Sequence, residues 1–334
     1  MINISFPGIG IDPFQISPVA FTVFGLEIRW YGIIITTGII LAVLYAFYRS
    51  KQEGIKEDDL LDMAIFAIPC AIIGARLYYV LTSLDEFDTF GEMIAIWNGG
   101  IAIYGAIIAG AITILCVCKY KKIKVMKAFD MAAPAVMIGQ ILGRWGNFFN
   151  GEAYGAEVLE SSPLYFIRMG LAPNIKSYSV MHYFHPTFLY ESLWNLVGFI
   201  IINALYKKKK FDGQVFLMYI TWYGFGRMFI EGLRTDSLYV GVFRISQVVG
   251  FACFVVGSVL LIYNLTRARR EAITAGDYEA AYPKFAHTVG VAAEAEEAPE
   301  EVAEESSEVS EAYEKRLSDL MGEPENKEDN TKGE

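Results

Sequence analysis

Long uninterrupted apolar blocks, rather than amphipathic stripes, dominate the chain. Seven of them run at about 28–48, 60–82, 94–117, 129–149, 186–206, 213–231 and 245–265. Roughly 20 apolar residues are what a helix needs to cross a bilayer core of about 30 Å. The pattern predicts an all-α integral membrane protein with seven transmembrane helices. Before the first block, Pro7, Pro13 and Pro18 alternate with apolar residues such as Val19, Phe21 and Val23. Residues 1–27 therefore read as an extended or hairpin segment on the membrane surface. The first block lacks a basic leader and a small-residue cleavage site, so it reads as a retained helix.

Composition sharpens the domain picture. Of 334 residues, 54% are hydrophobic, and the net charge is -10. That charge is not spread evenly. Residues 271–334 hold 19 acidic and 5 basic side chains, leaving 23 basic and 19 acidic over the remainder. The body is mildly basic and the acidity belongs to a tail over 266–334, too polar to bury a core and expected to be disordered. The expected division is a surface segment (1–27), a seven-helix catalytic body (28–265) and the tail. Basic residues are scattered in short loops instead of forming one face, which argues against nucleic-acid binding. Cys70, Cys116, Cys118 and Cys253 fall inside apolar blocks with no metal or disulfide spacing, and read as small packing residues.

Loop charge sets the orientation. Arg49, Lys51 and Lys56 follow the first block, Lys119 to Lys127 the third, Lys207 to Lys210 the fifth, and Arg267, Arg269 and Arg270 the seventh. The intervening loops are poor in Lys and Arg. The positive-inside rule then places the N-terminus outside and the C-terminus in the cytoplasm.

On that topology the polar positions collect at the outer ends of the helices. The densest stretch is 139–155, GQILGRWGNFFNGEAYG, where Arg144, Asn147, Asn150 and Glu152 interleave with glycines. An arginine at membrane depth is costly and normally faces a bundle interior or a wet cavity; the plainer reading is a packed helix end whose arginine snorkels. Gly139 and Gly143, four apart, would let a neighbouring backbone approach. Tyr223, Arg227 and Glu231 are spaced at i, i+4, i+8, with Arg234 close by, so a persisting helix puts them on one face. Their plainer reading is a self-neutralising Arg227–Glu231 pair. Arg76 sits among the small residues Gly74 and Ala75. Tyr31, beside Trp30, could be an interface anchor. His185 opens the fifth block ahead of Pro186, with Glu191 one turn in; it matches no zinc spacing and suits a structural hydrogen bond.

The run from Gly143 to Glu152, with Gly155 after it, resembles the signature of prolipoprotein diacylglyceryl transferases. The likeness extends to Trp30-Tyr31-Gly32, Gly74-Ala75-Arg76, Trp97-Asn98-Gly99-Gly100, His185-Pro186 with Tyr190-Glu191, and the stretch from Tyr223 to Arg234, over roughly residues 15–265. It implies a multi-pass enzyme of the bacterial inner membrane. Such an enzyme moves the diacylglyceryl group of phosphatidylglycerol onto the lipobox cysteine of a preprolipoprotein, forming a thioether and releasing glycerol-1-phosphate. No metal or cofactor is implied. By this resemblance Arg144 and Arg227 are the first candidates to hold the phosphate, as planar forks matched to its oxygens, with Arg76 and Arg234 in support. Asn147, Asn150 and Glu152 would orient glycerol hydroxyls or fix the arginines. Tyr31, Gly155, His185, Tyr223 and Glu231 complete the expected substrate-binding set.

The chain departs from many relatives at Tyr104, in Gly99-Gly100-Ile101-Ala102-Ile103-Tyr104-Gly105, where they carry histidine. A tyrosine near pKa 10 is a poor base unless arginines lower it. The group that activates the thiol thus stays open among Tyr104, Tyr31, Tyr223 and the positive field itself. The main rival from another class is a transporter of an anionic or lipid substrate, for which interior charges also speak, although no inverted repeat is evident. A protease reading lacks a Gly-x-Ser-x-Gly elbow or a zinc helix.

Overall fold

The computed structural model describes residues 1–173, 181–235, 237 and 239–275. One compact unit covers Met1–Leu265, and a second begins at Thr266. Eight α-helices are found among the described residues: α1 (Trp30–Glu53), α2 (Glu57–Thr82), α3 (Phe90–Ile94), α4 (Ile103–Lys121), α5 (Val125–Asn150), α6 (Thr187–Tyr206), α7 (Gln214–Leu233) and α8 (Ile245–Thr274). Six of them, α1, α2, α4, α5, α6 and α8, are long and apolar enough to cross a membrane. Helix α7 is 20 residues long but carries Gln214, Arg227 and Glu231 within that length, which lowers its hydropathy. The protein is thus a mainly helical membrane protein with multiple spans.

Two block boundaries differ from the pattern. The block at 94–117 is not one helix: Gly99 and Gly100 take φ of 85° and 74°, so the chain turns there and α4 starts only at Ile103. At the other end, α8 runs past residue 265 to Thr274, because Arg, Ala and Glu are good helix formers and Arg267 pairs with Glu271 one turn on at 2.7 Å. The rest of the expected tail, 276–334, lies outside the described residues.

The surface segment is more ordered than a lone hairpin. Strands β1 (Ile2–Phe6) and β2 (Ile11–Ile16) pair antiparallel, and β3 (Val19–Val23) pairs with β4 (Leu26–Arg29), which runs straight into α1. From the loop between α5 and α6, β5 (Met169–Pro173) pairs with β1, and β6 (His182–Phe184) extends the sheet to the order β2-β1-β5-β6. A short hairpin, β7 (Tyr239–Val240) with β8 (Phe243–Arg244), joins α7 to α8. The hairpins before α1 fit the extended or hairpin reading of residues 1–27, whereas β5, β6, β7 and β8 were not expected. The inner residues of the four-stranded sheet, Ile4, Phe6, Ile16, Met169 and Leu171, pack on Phe148 and Phe188, so the sheet caps the ends of α5 and α6.

Helices α5 and α6 lie at the centre: 39% and 33% of their spans are buried, against 11% for α1, α4 and α8. The Gly139/Gly143 pair lets the α1 backbone approach α5, as expected: a Cβ at Gly38 of α1 would stand 3.7 Å from Gly139 Cα, and one at Gly143 would meet Ile35 at 3.4 Å. A tighter contact lies between α6 and α7. Trp194 and Trp222 stack at 4.3 Å, and each indole N–H donates to the other's carbonyl oxygen, at 3.0 and 2.9 Å. Gly226 and Gly198 make this possible, since a Cβ at either would come within 2.2 Å of an indole nitrogen.

At the end of the bundle away from the sheet, Lys209 bridges Glu53 of α1 (2.6 Å) and Asp130 of α5 (3.0 Å). Asp130 also accepts the backbone N–H groups of Gly213 (2.8 Å) and Phe216 (2.9 Å), capping the start of α7. The start and the middle of α7 are therefore held against α5 and α6. Gly226→Leu should drive a side chain into Trp194 and cost about 1–3 kcal/mol by overpacking. It should appear as a lowered unfolding midpoint in detergent; an unchanged midpoint would show that the indole pair does not set this spacing.

Candidate active site at the arginine cluster

The ends of α5 and α7, the starts of α1, α4, α6 and α8, and the loop after α5 meet at the sheet-capped end of the bundle. Helix α5 stops where it does because Gly151 takes a left-handed conformation (φ 64°) and returns its N–H to Phe148 at 3.0 Å. The chain turns at once, which brings Glu152 back over the helix. Its Oε1 accepts from Asn147 Nδ2 at 3.0 Å and from Asn150 Nδ2 at 3.1 Å. The other amide atom of Asn150, Oδ1, is buried with no hydrogen-bond partner.

Arg144, one turn before Asn147 on α5, reaches across to α6. Its Nη2 lies 2.6 Å from Glu191 Oε1, and its Nη1 donates to Asn147 Oδ1 at 3.4 Å. From α7, Arg227 Nη1 meets the second oxygen of the same carboxylate, Glu191 Oε2, at 2.9 Å. Arg227 Nη2 also contacts Glu231 Oε2 at 2.6 Å, and Arg234 Nε stands 3.9 Å from that oxygen. Two guanidiniums from separate helices are thus joined through one carboxylate that is only 4% exposed. Three arginines face two buried carboxylates here, with Glu152 as a third carboxylate at the rim.

The Tyr223–Arg227–Glu231 spacing does form one helix face, and the internal Arg227–Glu231 pair exists, but it does not close on itself because Glu191 joins it. Glu191 stood out in the sequence only as an unusual charge early in a span and was not among the expected site residues. Its role was hidden because its two partners lie 47 and 36 positions away, on other helices.

Around this cluster the remaining candidates fall into two groups. Tyr31, at the start of α1, lies in the notch left by Gly146, where a Cβ would come within 2.7 Å of the ring. Tyr223 stands one turn before Arg227 on α7, and the Tyr104 hydroxyl lies 3.0 Å from Ser246 Oγ.

The second group builds the walls. Gly155 donates its N–H to His185 O at 2.9 Å, forms a bridge with Arg234, and has no room for a Cβ between His185 and Leu233. His185 is buried, its Nδ1 lies 3.2 Å from the Tyr190 hydroxyl, and its backbone N–H donates to Ala156 O at 3.0 Å. Burial holds its imidazole below the usual pKa, so it stays neutral.

Arg76 belongs with neither group. Its guanidinium donates to the carbonyls of Met93 (2.8 Å), Gly99 (2.5 Å), Gly100 (2.6 Å) and Glu92 (2.6 Å). Four of its five donor positions therefore brace the 90–100 turn ahead of Tyr104.

The matching family model is that of prolipoprotein diacylglyceryl transferase, over residues 18–263. The chain belongs to this family. A phosphatidylglycerol–prolipoprotein diacylglyceryl transferase of Finegoldia magna is 46% identical, over 73% of this chain and 94% of its own length. Proteins of the same name from Listeria innocua and Lysinibacillus sphaericus are each 42% identical, over 77% and 76% of this chain and 92% and 94% of theirs. Family membership agrees with the multi-span helical body and makes the protein a membrane transferase. The matched segment takes in every element that contributes to the cluster.

Removing the shared carboxylate leaves two guanidiniums facing each other in a poorly hydrated interior. Glu191→Ala should cost about 3–5 kcal/mol, the range seen when one partner of a buried ion pair is deleted. Glu191→Asp, which keeps the charge, should cost less. Unfolding of both variants in detergent is the measurement, and equal stability of all three proteins would refute the bridging role.

Proposed function

We propose that this protein transfers the diacylglyceryl group of phosphatidylglycerol to the lipobox cysteine of a preprolipoprotein. A sulfur–carbon bond forms, the carbon–oxygen bond to the phosphate breaks, and glycerol-1-phosphate leaves. The observation that carries this reading is the pair Arg144–Arg227, drawn from α5 and α7 onto the two oxygens of Glu191. A phosphodiester carries one negative charge, and planar guanidiniums match its oxygens. As the carbon–oxygen bond breaks, a second charge develops on that phosphate. Guanidiniums already aimed and shielded from water stabilise it without reorganising.

The surrounding groups have roles that follow from their chemistry. The unpartnered Asn150 Oδ1 suits a donor hydroxyl of the headgroup glycerol. Glu152, by holding Asn147 and Asn150, fixes the rim around it. Tyr31 and Tyr223 flank the clamp, while Gly155, His185 and Arg234 lock the 151–158 loop against the end of α7. Tyr104 faces the thiol, and Glu231 keeps Arg227 oriented.

Helix α7 is read as the seventh crossing. Its charged residues are buried within the protein rather than facing lipid, Arg227 against Glu191 of α6 and Glu231 against Arg227 and Arg234, which fits its low hydropathy without removing it from the membrane. Seven crossings and the lysine-rich loops at 119–127 and 207–210 support an outside N-terminus, a cytoplasmic C-terminus and a site open to the outer leaflet. The catalytic body is residues 28–265, and the acidic tail has no part in the chemistry.

In detergent or vesicles with phosphatidylglycerol and a lipobox peptide, Arg144→Ala and Arg227→Ala should each lower transfer by about 10²–10³-fold, as when a transition-state donor is removed. Arg144→Lys should not restore it, because a point charge cannot reproduce the planar fork. Wild-type turnover in either alanine variant would sink the phosphate-clamp reading. Truncation after residue 275 should leave transfer at the full-length level; a dead truncated enzyme would give the tail a role denied to it here.

A further inference from the structure

The contact between Tyr104 and Ser246 joins two helices that are far apart in the chain. Tyr104 is in the first turn of α4 and Ser246 in the first turn of α8, and their hydroxyl oxygens stand 3.0 Å apart. Both side chains are half-buried, so neither is sealed from a substrate. The start of α8 is also packed against the arginine cluster. Gln247 donates to Met228 O at 2.9 Å, and a Cβ at Gly250, one turn beyond Ser246, would lie 3.2 Å from Arg227 Cβ. One member of the pair thus faces the α4 side of the site, and the other adjoins the helix that presents Arg227.

This arrangement bears on a difficulty in the reaction proposed above. The acceptor cysteine must lose a proton, its unperturbed pKa is about 8.5, and tyrosine at about 10 is a poor base. A tyrosine acting as a base by itself would have to become a phenolate beforehand. A hydroxyl that gives up its own proton as it accepts another avoids that requirement, and the Ser246 hydroxyl in contact with Tyr104 gives that proton a place to go.

We propose that Ser246 is the second member of a proton relay with Tyr104, the two hydroxyls carrying the thiol proton to the departing phosphate. The inference rests on the transferase reading. In the step, the cysteine sulfur bonds to the glyceryl carbon while the bond from that carbon to the phosphate oxygen breaks. The electron pair of the broken bond leaves with the phosphate. The thiol proton passes to Tyr104 Oη, the Tyr104 proton passes to Ser246 Oγ, and the Ser246 proton passes to the phosphate. Both side chains end neutral, and glycerol-1-phosphate leaves carrying the extra proton.

The plainer reading is an interhelical hydrogen bond that ties α4 to α8, worth about 0.6 kcal/mol in a membrane protein. The two are separable with the full-length enzyme, phosphatidylglycerol vesicles and a lipobox peptide. Under the relay, Ser246→Ala lowers kcat by about tenfold or more, the low side of what acid–base groups contribute. Its KM for phosphatidylglycerol and its unfolding midpoint stay at parent values. Ser246→Thr, which keeps the hydroxyl, restores most of kcat. Turnover in mixed H2O and D2O gives a curved proton inventory for the parent and a linear one for Ser246→Ala.

Parent kcat in Ser246→Ala would overturn the proposal. So would a loss that follows a fall in thermal stability and leaves the inventory curved, the result expected of a structural tie. Absence of peptide lipidation by the parent enzyme would instead overturn the transferase reading, and the relay with it.

Discussion

One carboxylate shared by two guanidiniums organises this protein. Neither Arg144 nor Arg227 could be left unpaired at membrane depth, where a lone charge is strongly disfavoured. Glu191 neutralises part of each and keeps them side by side despite their mutual repulsion. Because each carboxylate oxygen takes a different arginine, the geometry depends on three helices at once. A shift of any one by an ångström would lengthen at least one of two contacts that are now 2.6 and 2.9 Å. The rest of the fold is best understood as preventing that shift.

Helix α7 is held at several points along its length. The Trp194–Trp222 pair, seated on Gly226 and Gly198, sets its distance from α6 in the middle of the bundle. Asp130 and Lys209 secure its start. Its end is secured by the loop after α5, where Ala156 N–H donates to Leu233 O at 2.7 Å and Gly155 bridges to Arg234. The sheet β2-β1-β5-β6 closes over α5 and α6 through Phe148 and Phe188. That capping gives the N-terminal strands a purpose that their proline-spaced pattern did not disclose. Stability and the arrangement of the candidate site draw on the same contacts here, since the groups that tie the helices together also hold the arginines in place.

Much of the site was legible in the chain before any coordinates. Long apolar runs announce spans, and charges inside them stand out because lipid tolerates so few. Arg144, Asn147, Asn150 and Glu152 lie within nine residues, so a single helix end and its turn were bound to bring them together. The face shared by Tyr223, Arg227 and Glu231 followed from helical periodicity alone. Arg76 shows where that reasoning stops. It has the same small neighbours and the same membrane setting as the others, yet it is spent on the carbonyls of the 90–100 turn. Nothing local distinguishes an arginine that joins an ion-pair cluster from one that braces a loop.

By itself, then, the sequence determined the helical membrane body, the grouping of Arg144, Asn147, Asn150 and Glu152 at one helix end, and the family. Each is a property of composition or of spacing within one segment. Tertiary structure alone decided that Glu191 is the link between Arg144 and Arg227, that Ser246 meets Tyr104, and that strands from two distant segments form one sheet. These are pairings between segments tens to more than a hundred residues apart. They are set by how helices pack rather than by any local preference, so no pattern along the chain could reveal them.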